Sequence, residues 1–445
     1  MATPNLPIDS AAEHVTEVLE RISALNPTLN AFISVFETEA MEQARTLDEE
    51  LRQGRSRGPL HGRTISIKDL IDVKGVPTTA ASRVRAGHVA ASDATVVTRL
   101  RDAGAIIIGK TNLHEFALGT TSDESAFGPV RNPHDTNRSP GGSSGGSGAA
   151  VATGMGWASI GTDTGGSIRI PASACGVVGL KPGFGEVTTV GVIPLSVSLD
   201  HVGPLAASVG DAWAIYDALT GAPHAPPSAG PIAGLRLGKL GGYFLDTLDE
   251  EVRARFDEAL SRLADAGASI VNVDLGRLPD IPTTYINVAL PEAFAYHSEA
   301  LKRDPEKFGR NVRTRLEMGE EISRDAYFKA QHDRAQMRTA VDSALSKCDA
   351  LVLPTMPIPP QPVGATTAVV GSIEQPLRPL TLRLTQLFNL TGHPAVSIPC
   401  GDTREGLPCG LQLVGRHKHT PQLLQVSLNC EAFVTPRAPS SSGRP

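Results

Sequence analysis

Ten residues, Ser139 to Gly148, decide how this chain is divided. The run SPGGSSGGSG has the composition of a flexible linker, which would part the chain into two independently folded halves. The residues after it, AAVATGMGWASI, are small and apolar and suit a helix or strand buried against a neighbour. The Gly-Ser run therefore reads as tight backbone within a core, where glycine and serine permit close turns. With 445 residues, 40% hydrophobic and 20% charged, the chain can bury a core of that size. One large unit over residues 1–434 is expected, followed by a frayed Pro/Ser-rich tail over 435–445.

Periodicity on both sides of that run gives the class of fold. Ser10 and Glu13 form a capping box, and Val15, Val18, Leu19, Ile22 and Leu25 continue at helical spacing, so a first helix should stop before Asn26-Pro27. A second helix is predicted over 37–53. TISIK at 64–68 alternates like a strand, residues 93–102 place Val96, Val97 and Leu100 on one helical side, and AIII at 105–108 suits a strand covered on both faces. GAPHAPPSAG at 221–230 suits an exposed seam. Strand, helix and strand then recur to about Val273, a helix-rich segment covers about 283–347, and strands return at 349–354, 395–399 and 411–414. Alternation of this kind indicates an α/β fold.

Charge and residue usage exclude several classes of function. Lys plus Arg number 41 against 47 Asp plus Glu, and the net charge of −6 offers no basic surface to a phosphate backbone, so no direct nucleic-acid partner is expected. No run approaches the roughly 18 apolar residues of a membrane helix, and the N-terminus lacks a basic stretch followed by an apolar one. A cytoplasmic protein with no membrane partner is expected. Cys175, Cys348, Cys400, Cys409 and Cys430 contain no Cys-x-x-Cys pair, so buried free thiols are expected, with neither a disulfide framework nor a zinc site.

Two familiar patterns fail on physical grounds. Gly104 to Thr111 fits the P-loop letter for letter, but a P-loop wraps phosphate with free N–H groups, whereas AIII commits its N–H groups to a sheet. Gly142-Ser143-Ser144-Gly145-Gly146 fits G-x-S-x-G, but that elbow follows a strand directly, and the preceding NPHDTNRSPG is a loop.

A third arrangement is larger. Lys68 closes the strand ISIK, Ser143 and Ser144 lie in SPGGSSGGS, and Ser167 lies in GTDTGGSIR. In this order the three motifs resemble the amidase signature family, whose catalytic set is a Ser, a second Ser preceded by a cis peptide, and a Lys. The resemblance is densest over about 60–204 and resumes at FNLTGHPAVSIP and GLPCGLQLVG. It implies one α/β/α unit, a mixed sheet covered by helices on both faces, with no metal and no organic cofactor. It further implies Ser167 as nucleophile, Ser143 after a cis bond from Gly142 as relay, and Lys68 as base. The backbone of Thr164, Gly165, Gly166 and Ser167 would hold the oxyanion, with Ser144, Asp163 and Arg169 supporting the loop and Ala117, Leu118, Gly119, Thr120 and Thr121 lining the acyl side of the pocket. His114 and Glu115 read as structural.

The chemistry can be argued beside the resemblance. A serine hydroxyl needs a base, and lysine serves only without its proton, a state that burial favours by penalising the charged form. A second hydroxyl both donates and accepts, so Ser143 can pass a proton from Ser167 to Lys68. The expected activity is cleavage of a C–N bond in a small-molecule amide or carbamate, with ureas and esters open to the same acyl chemistry, by a monomer or homodimer. SAFGPVRNP followed by SPGGSSGGS also resembles the glutaminase component of glutamyl-tRNA amidotransferase, which releases ammonia from glutamine for a partner; the Arg-Tyr-Gly motif typical of those members is missing from the stretch 288–319. Specificity is expected from Tyr285 to Tyr327, where Arg313 or Arg315 would either anchor an acidic substrate or sit solvated at the surface.

Overall fold

The computed structural model describes residues 10–221 and 228–435. In chain order the strands are β1 (Phe32–Val35), β2 (Thr64–Lys68), β3 (Ile106–Thr111), β4 (Ala158–Asp163), β5 (Val178–Lys181), β6 (His201–Ala206), β7 (Arg236–Leu240), β8 (Ser269–Val273), β9 (Ala350–Pro354), β10 (Thr367–Val370), β11 (Ile373–Pro376), β12 (Ala395–Asp402) and β13 (Pro408–Val414). Eleven of these form one sheet in the order β1-β3-β2-β4-β6-β5-β12-β13-β9-β7-β8, and β10 and β11 make a separate hairpin. The sheet is mixed: β2 runs parallel to β3 and β4, whereas β6, β5, β12 and β13 pair antiparallel in turn.

Both faces of the sheet are covered. Ile107 joins one apolar cluster while its neighbours Ile106 and Ile108 join another, and Val352 faces away from Leu351 and Leu353 in the same manner. Such continuous apolar strands form only where helices exclude water from both sides. The helix Glu250–Asp265 shows how one is recruited: Asp249 caps it by accepting from the N–H groups of Glu251 and Val252, and Val252, Phe256, Ala259 and Leu263 turn one stripe to the sheet. The helix-rich segment resolves into Ile281–Arg303, Arg310–Glu321 and Arg324–Leu345.

The Gly-Ser run enters the core, since the helix Gly145–Ala152 begins inside it and is buried over Gly145 to Val151. Two sequence expectations need correction. The first helix passes through Pro27 and ends at Leu29: the proline forgoes the one bond its N–H would make to the Ser23 carbonyl, while Asn30, in a left-handed conformation, still donates to the Asn26 carbonyl. The chain at β6 escaped prediction because HVGPLA contains Gly and Pro. Pro204 sits opposite Ile160 of β4, beyond the two positions at which β6 pairs with β5, so on that side the strand has no partner at the proline. The seam residues 222–227 and the tail from 436 lie outside the described residues. No described helix is long and apolar enough to cross a membrane.

Sheet order positions the candidate chemistry. β2 and β4 are adjacent and parallel, so Lys68 and Asp163, their last residues, emerge at the same end. The loop after β4 leads into the helix Arg169–Cys175, and the run ending at Ser144 leads into Gly145–Ala152.

Candidate active site

Lys68 is wholly buried and its ammonium meets hydroxyls instead of carboxylates: Nζ donates to Ser143 Oγ at 2.7 Å and to Thr162 Oγ1 at 2.8 Å. Burial pulls its pKa down to about 7, against the opposing charges of Asp163 and Asp200. Near neutrality this amine is therefore divided between its two protonation states.

The Gly142–Ser143 peptide is cis. The turn is held by the Ser143 carbonyl, which accepts from the Ser122 hydroxyl and the His114 N–H, both at 3.1 Å. Next door, the Ser144 N–H donates to the Ser167 carbonyl at 3.2 Å, and Ser144 Oγ donates to the Thr162 carbonyl at 3.2 Å. Lys68, Ser143, Ser144 and Ser167 are thus drawn into one cluster. The hydroxyls of Ser143 and Ser167 make no direct hydrogen bond to each other among the described residues, a looseness common where substrate completes the network.

The loop from Thr164 to Ser167 is fixed from behind. Asp163 and Arg169 form a fully buried two-pronged pair at 2.9 and 3.0 Å, and Asp163 also accepts the Ile168 N–H. Burial alone would raise the Asp163 carboxyl; the Arg169 guanidinium holds it well below the usual range. Arg169 further reaches Gln412 at 2.7 Å and Asn389 at 2.6 Å. Thr164 donates to Asp200 at 2.6 Å, and burial lifts that carboxyl to about 7. Thr385 donates to the Gly165 carbonyl at 2.5 Å. Gly166 has a φ of +143°, and a side chain there would press on Thr385, so glycine is required. The N–H groups of Gly165, Gly166 and Ser167 donate to no protein acceptor among the described residues.

Beside this cluster lies a cavity of about 350 Å³. Of the five residues expected to line it, Gly119, Thr120 and Thr121 do so, whereas Ala117 and Leu118 pack into an apolar cluster with Leu70 and Phe116. The left-handed backbone at Phe116 and Ala117 turns those side chains inward. Glu115 is structural, accepting from Ser82 at 2.5 Å and from the Gly309 N–H at 2.8 Å. His114 is not merely so: it lines the cavity with neither ring nitrogen hydrogen-bonded among the described residues, 3.7 Å from Asp123 and 3.9 Å from Glu124. Burial lowers its pKa to about 3 and keeps it neutral. Arg313 is exposed and paired to Glu317, but Arg315 lines the cavity and donates to the Leu118 carbonyl at 2.8 Å. Arg378 and the segment 363–366, beyond the stretch expected to set specificity, complete the wall.

Residues 13–424 match the family described as Amidase. The chain belongs to the amidase signature family. Among its relatives are the A subunits of glutamyl-tRNA(Gln) amidotransferases: that of Koribacter versatilis is 38% identical, covering 92% of each chain, and that of Synechococcus sp. (strain RCC307) is 39% identical, covering 95% of this chain and 94% of its own. Among solved structures, one described as an amidase superposes with a TM-score of 0.90 at 39% identity over 96% of both chains. The corresponding glutamyl-tRNA(Gln) amidotransferase chain from Thermotoga maritima gives 0.77 at 32% identity, covering 96% of this chain and 95% of its own. The amidase fold and enzyme class expected from the motifs are therefore those of this protein.

Three supporting residues of this amidase escaped sequence analysis. Asn389 and Gln412 lie inside FNLTGHPAVSIP and GLPCGLQLVG, blocks that signalled the family without showing what their polar side chains touch. Asp200 had no signal beyond its place before β6.

Proposed function

We propose that this amidase cleaves the C–N bond of a small amide through an acyl-enzyme on Ser167. The observation that carries the reading is the 2.7 Å hydrogen bond from a fully buried Lys68, its affinity for a proton lowered by burial, to Ser143 beside the Ser167 loop. Neutral Lys68 takes the Ser143 proton as Ser143 takes that of Ser167, and Ser167 Oγ attacks the carbonyl carbon. The negative charge then formed on oxygen is met by the free N–H groups of Gly165, Gly166 and Ser167. Collapse expels the amine, which leaves with the proton returned from Lys68 through Ser143, and water releases the acyl group by the same route. Carbamates, ureas and esters present a carbonyl to the same groups.

Two settings are supported by different observations. The names of the curated relatives favour a component that frees ammonia from glutamine for a partner, and this outweighs the expectation of a free-standing enzyme. The nearer superposition on the amidase than on the Thermotoga chain favours independent action. Glutaminase activity of the purified chain, measured alone and with the partner proteins of an amidotransferase, separates them: stimulation by partners supports the assembly, and amide turnover without them supports the free enzyme. Ser167→Ala should fold normally, lose labelling by a fluorophosphonate and lose turnover by about 10⁴-fold or more. Undiminished turnover in that variant overturns the mechanism.

A further inference from the structure

Asp200 stands one residue before β6, and the ladder explains what it meets. Asp163 is the partner of His201 where β4 and β6 run antiparallel, so one step past that pair Thr164 comes against Asp200. The Thr164 hydroxyl donates to one carboxylate oxygen at 2.6 Å. The other oxygen accepts the N–H groups of Leu195 at 2.9 Å and Ser196 at 3.1 Å, and the Asp200 N–H closes the turn on the Ser196 carbonyl at 2.8 Å. One buried carboxylate therefore joins the first residue of the oxyanion loop to the segment 195–198.

That segment is held a second time. Glu292, on the helix Ile281–Arg303, accepts from the Ser196 hydroxyl at 2.6 Å and from the Ser198 N–H and hydroxyl at 3.0 and 2.7 Å. From the helix Arg324–Leu345 the Tyr327 hydroxyl donates to Glu292 at 2.9 Å, and Arg334 donates to the hydroxyl and the carbonyl of Ser198, each at 3.0 Å. Two helices of the helix-rich segment are thus connected to Thr164 through Glu292, residues 195–198 and Asp200.

A carboxylate is an expensive acceptor to place there if accepting is all it does. Asp200 is buried, and among the described residues no cation bonds to it, whereas buried Asp163 has Arg169 and buried Asp69 has Lys110, each at 2.9 Å. Its charge acts on Lys68 instead, opposing the effect of burial on that amine. Asp163 acts in the same direction, but Arg169 lies against it and offsets its charge. The remaining groups that face Asp200 are Glu292 with Arg334 beside it, Tyr285, and its neighbour His201. Burial keeps Tyr285 protonated, its pKa pushed up to about 12, and keeps His201 neutral. Lys68 is the group whose protonation the Asp200 charge can alter near neutrality.

We propose that Asp200 is a positioning residue of the reaction, which sets the N–H groups of Gly165, Gly166 and Ser167 in place from the helix-rich segment by way of Thr164. Its charge also leaves Lys68 a stronger base than burial alone would. The inference rests on the acyl-enzyme reading, and a probe that reports on Ser167 directly keeps the two apart. That probe is a fluorophosphonate, whose attack by serine places charge on a phosphoryl oxygen and requires no knowledge of the substrate. Its labelling rate is resolved into kinact and KI across neutral pH.

Asp200→Asn, of the same shape without the charge, should lower kinact by about 10–100-fold while KI stays within about threefold, because oxyanion donors act on the transition state and not on the bound reagent. The pH midpoint of labelling should also fall by about half a unit or more, since Lys68 loses an attracting charge. Thr164→Val should lower kinact comparably, and Thr164→Ser, which restores the hydroxyl, should recover most of that loss. The double variant Asp200→Asn, Thr164→Val should lie within about threefold of the slower single one, as expected of residues acting through one bond. Wild-type labelling that Asp200→Asn leaves alike in kinact and in midpoint overturns the proposal. A slower rate with an unmoved midpoint and full additivity with Thr164→Val, the pattern of a general loosening, also overturns it. Should Asp200→Asn fail to fold, recovery in Thr164→Ser sustains the proposal, and equal kinact in the two Thr164 variants overturns it. Absence of labelling in the wild type overturns the acyl-enzyme reading itself.

Discussion

Arg169, wholly buried behind the loop from Thr164 to Ser167, and Arg378, half-buried on the cavity wall, are long cations in neighbouring places under opposite conditions. All five N–H donors of Arg169 are taken, by Asp163, Asn389, Gln412 and the Thr385 carbonyl, and Arg378 has none of its donors engaged among the described residues. The saturated side fixes a geometry. The unsaturated side retains bonding capacity for a molecule that comes and goes. A hydrolase needs both, since oxyanion donors must stand in place before charge develops, whereas specificity requires groups whose satisfaction depends on the correct substrate.

The largest effect that tests this contrast is on stability. Asp163→Asn leaves Arg169 charged, buried and half-partnered, and should lower unfolding free energy by about 3–5 kcal/mol in denaturant titrations. Arg378→Met removes an unpartnered cation and should leave stability within about 0.5 kcal/mol or raise it. Similar losses for the two variants would show that Arg378 is structural and break the comparison.

Lys68 sharpens it by titration. Its amine holds a proton below about 7 and loses it above, so kcat/KM should rise about tenfold per pH unit below that point and level off above it. A rate unchanged between pH 6 and 9 would remove Lys68 as the base. Stability should follow the same group. An unfolded lysine keeps its proton to about 10.5 while the folded one gives it up near 7. Between those values the unfolded chain binds more protons, so folding stability rises with pH. Lys68→Met lacks this contribution, and wild type should gain on the variant from pH 7 to 9; a constant difference would mean that Lys68 is not desolvated.

The saturated side was the more legible in the sequence, and the reason is local. Lys68, Ser143 and Ser167 stand in short motifs whose joint order resembles the family's, and β2 announces itself by alternation and β3 by an apolar run. The partners of Arg169 lie 220 residues away at Asn389 and 243 at Gln412, a separation at which spacing carries no geometric information. The cavity was harder still. Arg378 follows a hairpin with no motif, and Ala117 and Leu118 share a stretch with Gly119 to Thr121 yet turn into the core because two left-handed residues reverse the chain there. Pro27 and Pro204 misled for a related reason: each is carried by regular structure that continues on both sides of it, which depends on neighbours and not on the proline.

Ser144 gives the smallest test. Its N–H holds the Ser167 carbonyl through backbone that no substitution removes, so only the hydroxyl bond to Thr162, at a long 3.2 Å, is lost in Ser144→Ala. A hydrogen bond of that kind contributes about 0.5–1 kcal/mol, and the Thr162 carbonyl lies in a strand paired with β6. Stability should fall by that amount and kcat/KM by less than about tenfold. A loss approaching that of Ser167→Ala would place the Ser144 hydroxyl itself in the proton path. The saturated side would then be doing chemistry as well as holding it in place, and the division between a fixed wall and a receptive one would have to be redrawn.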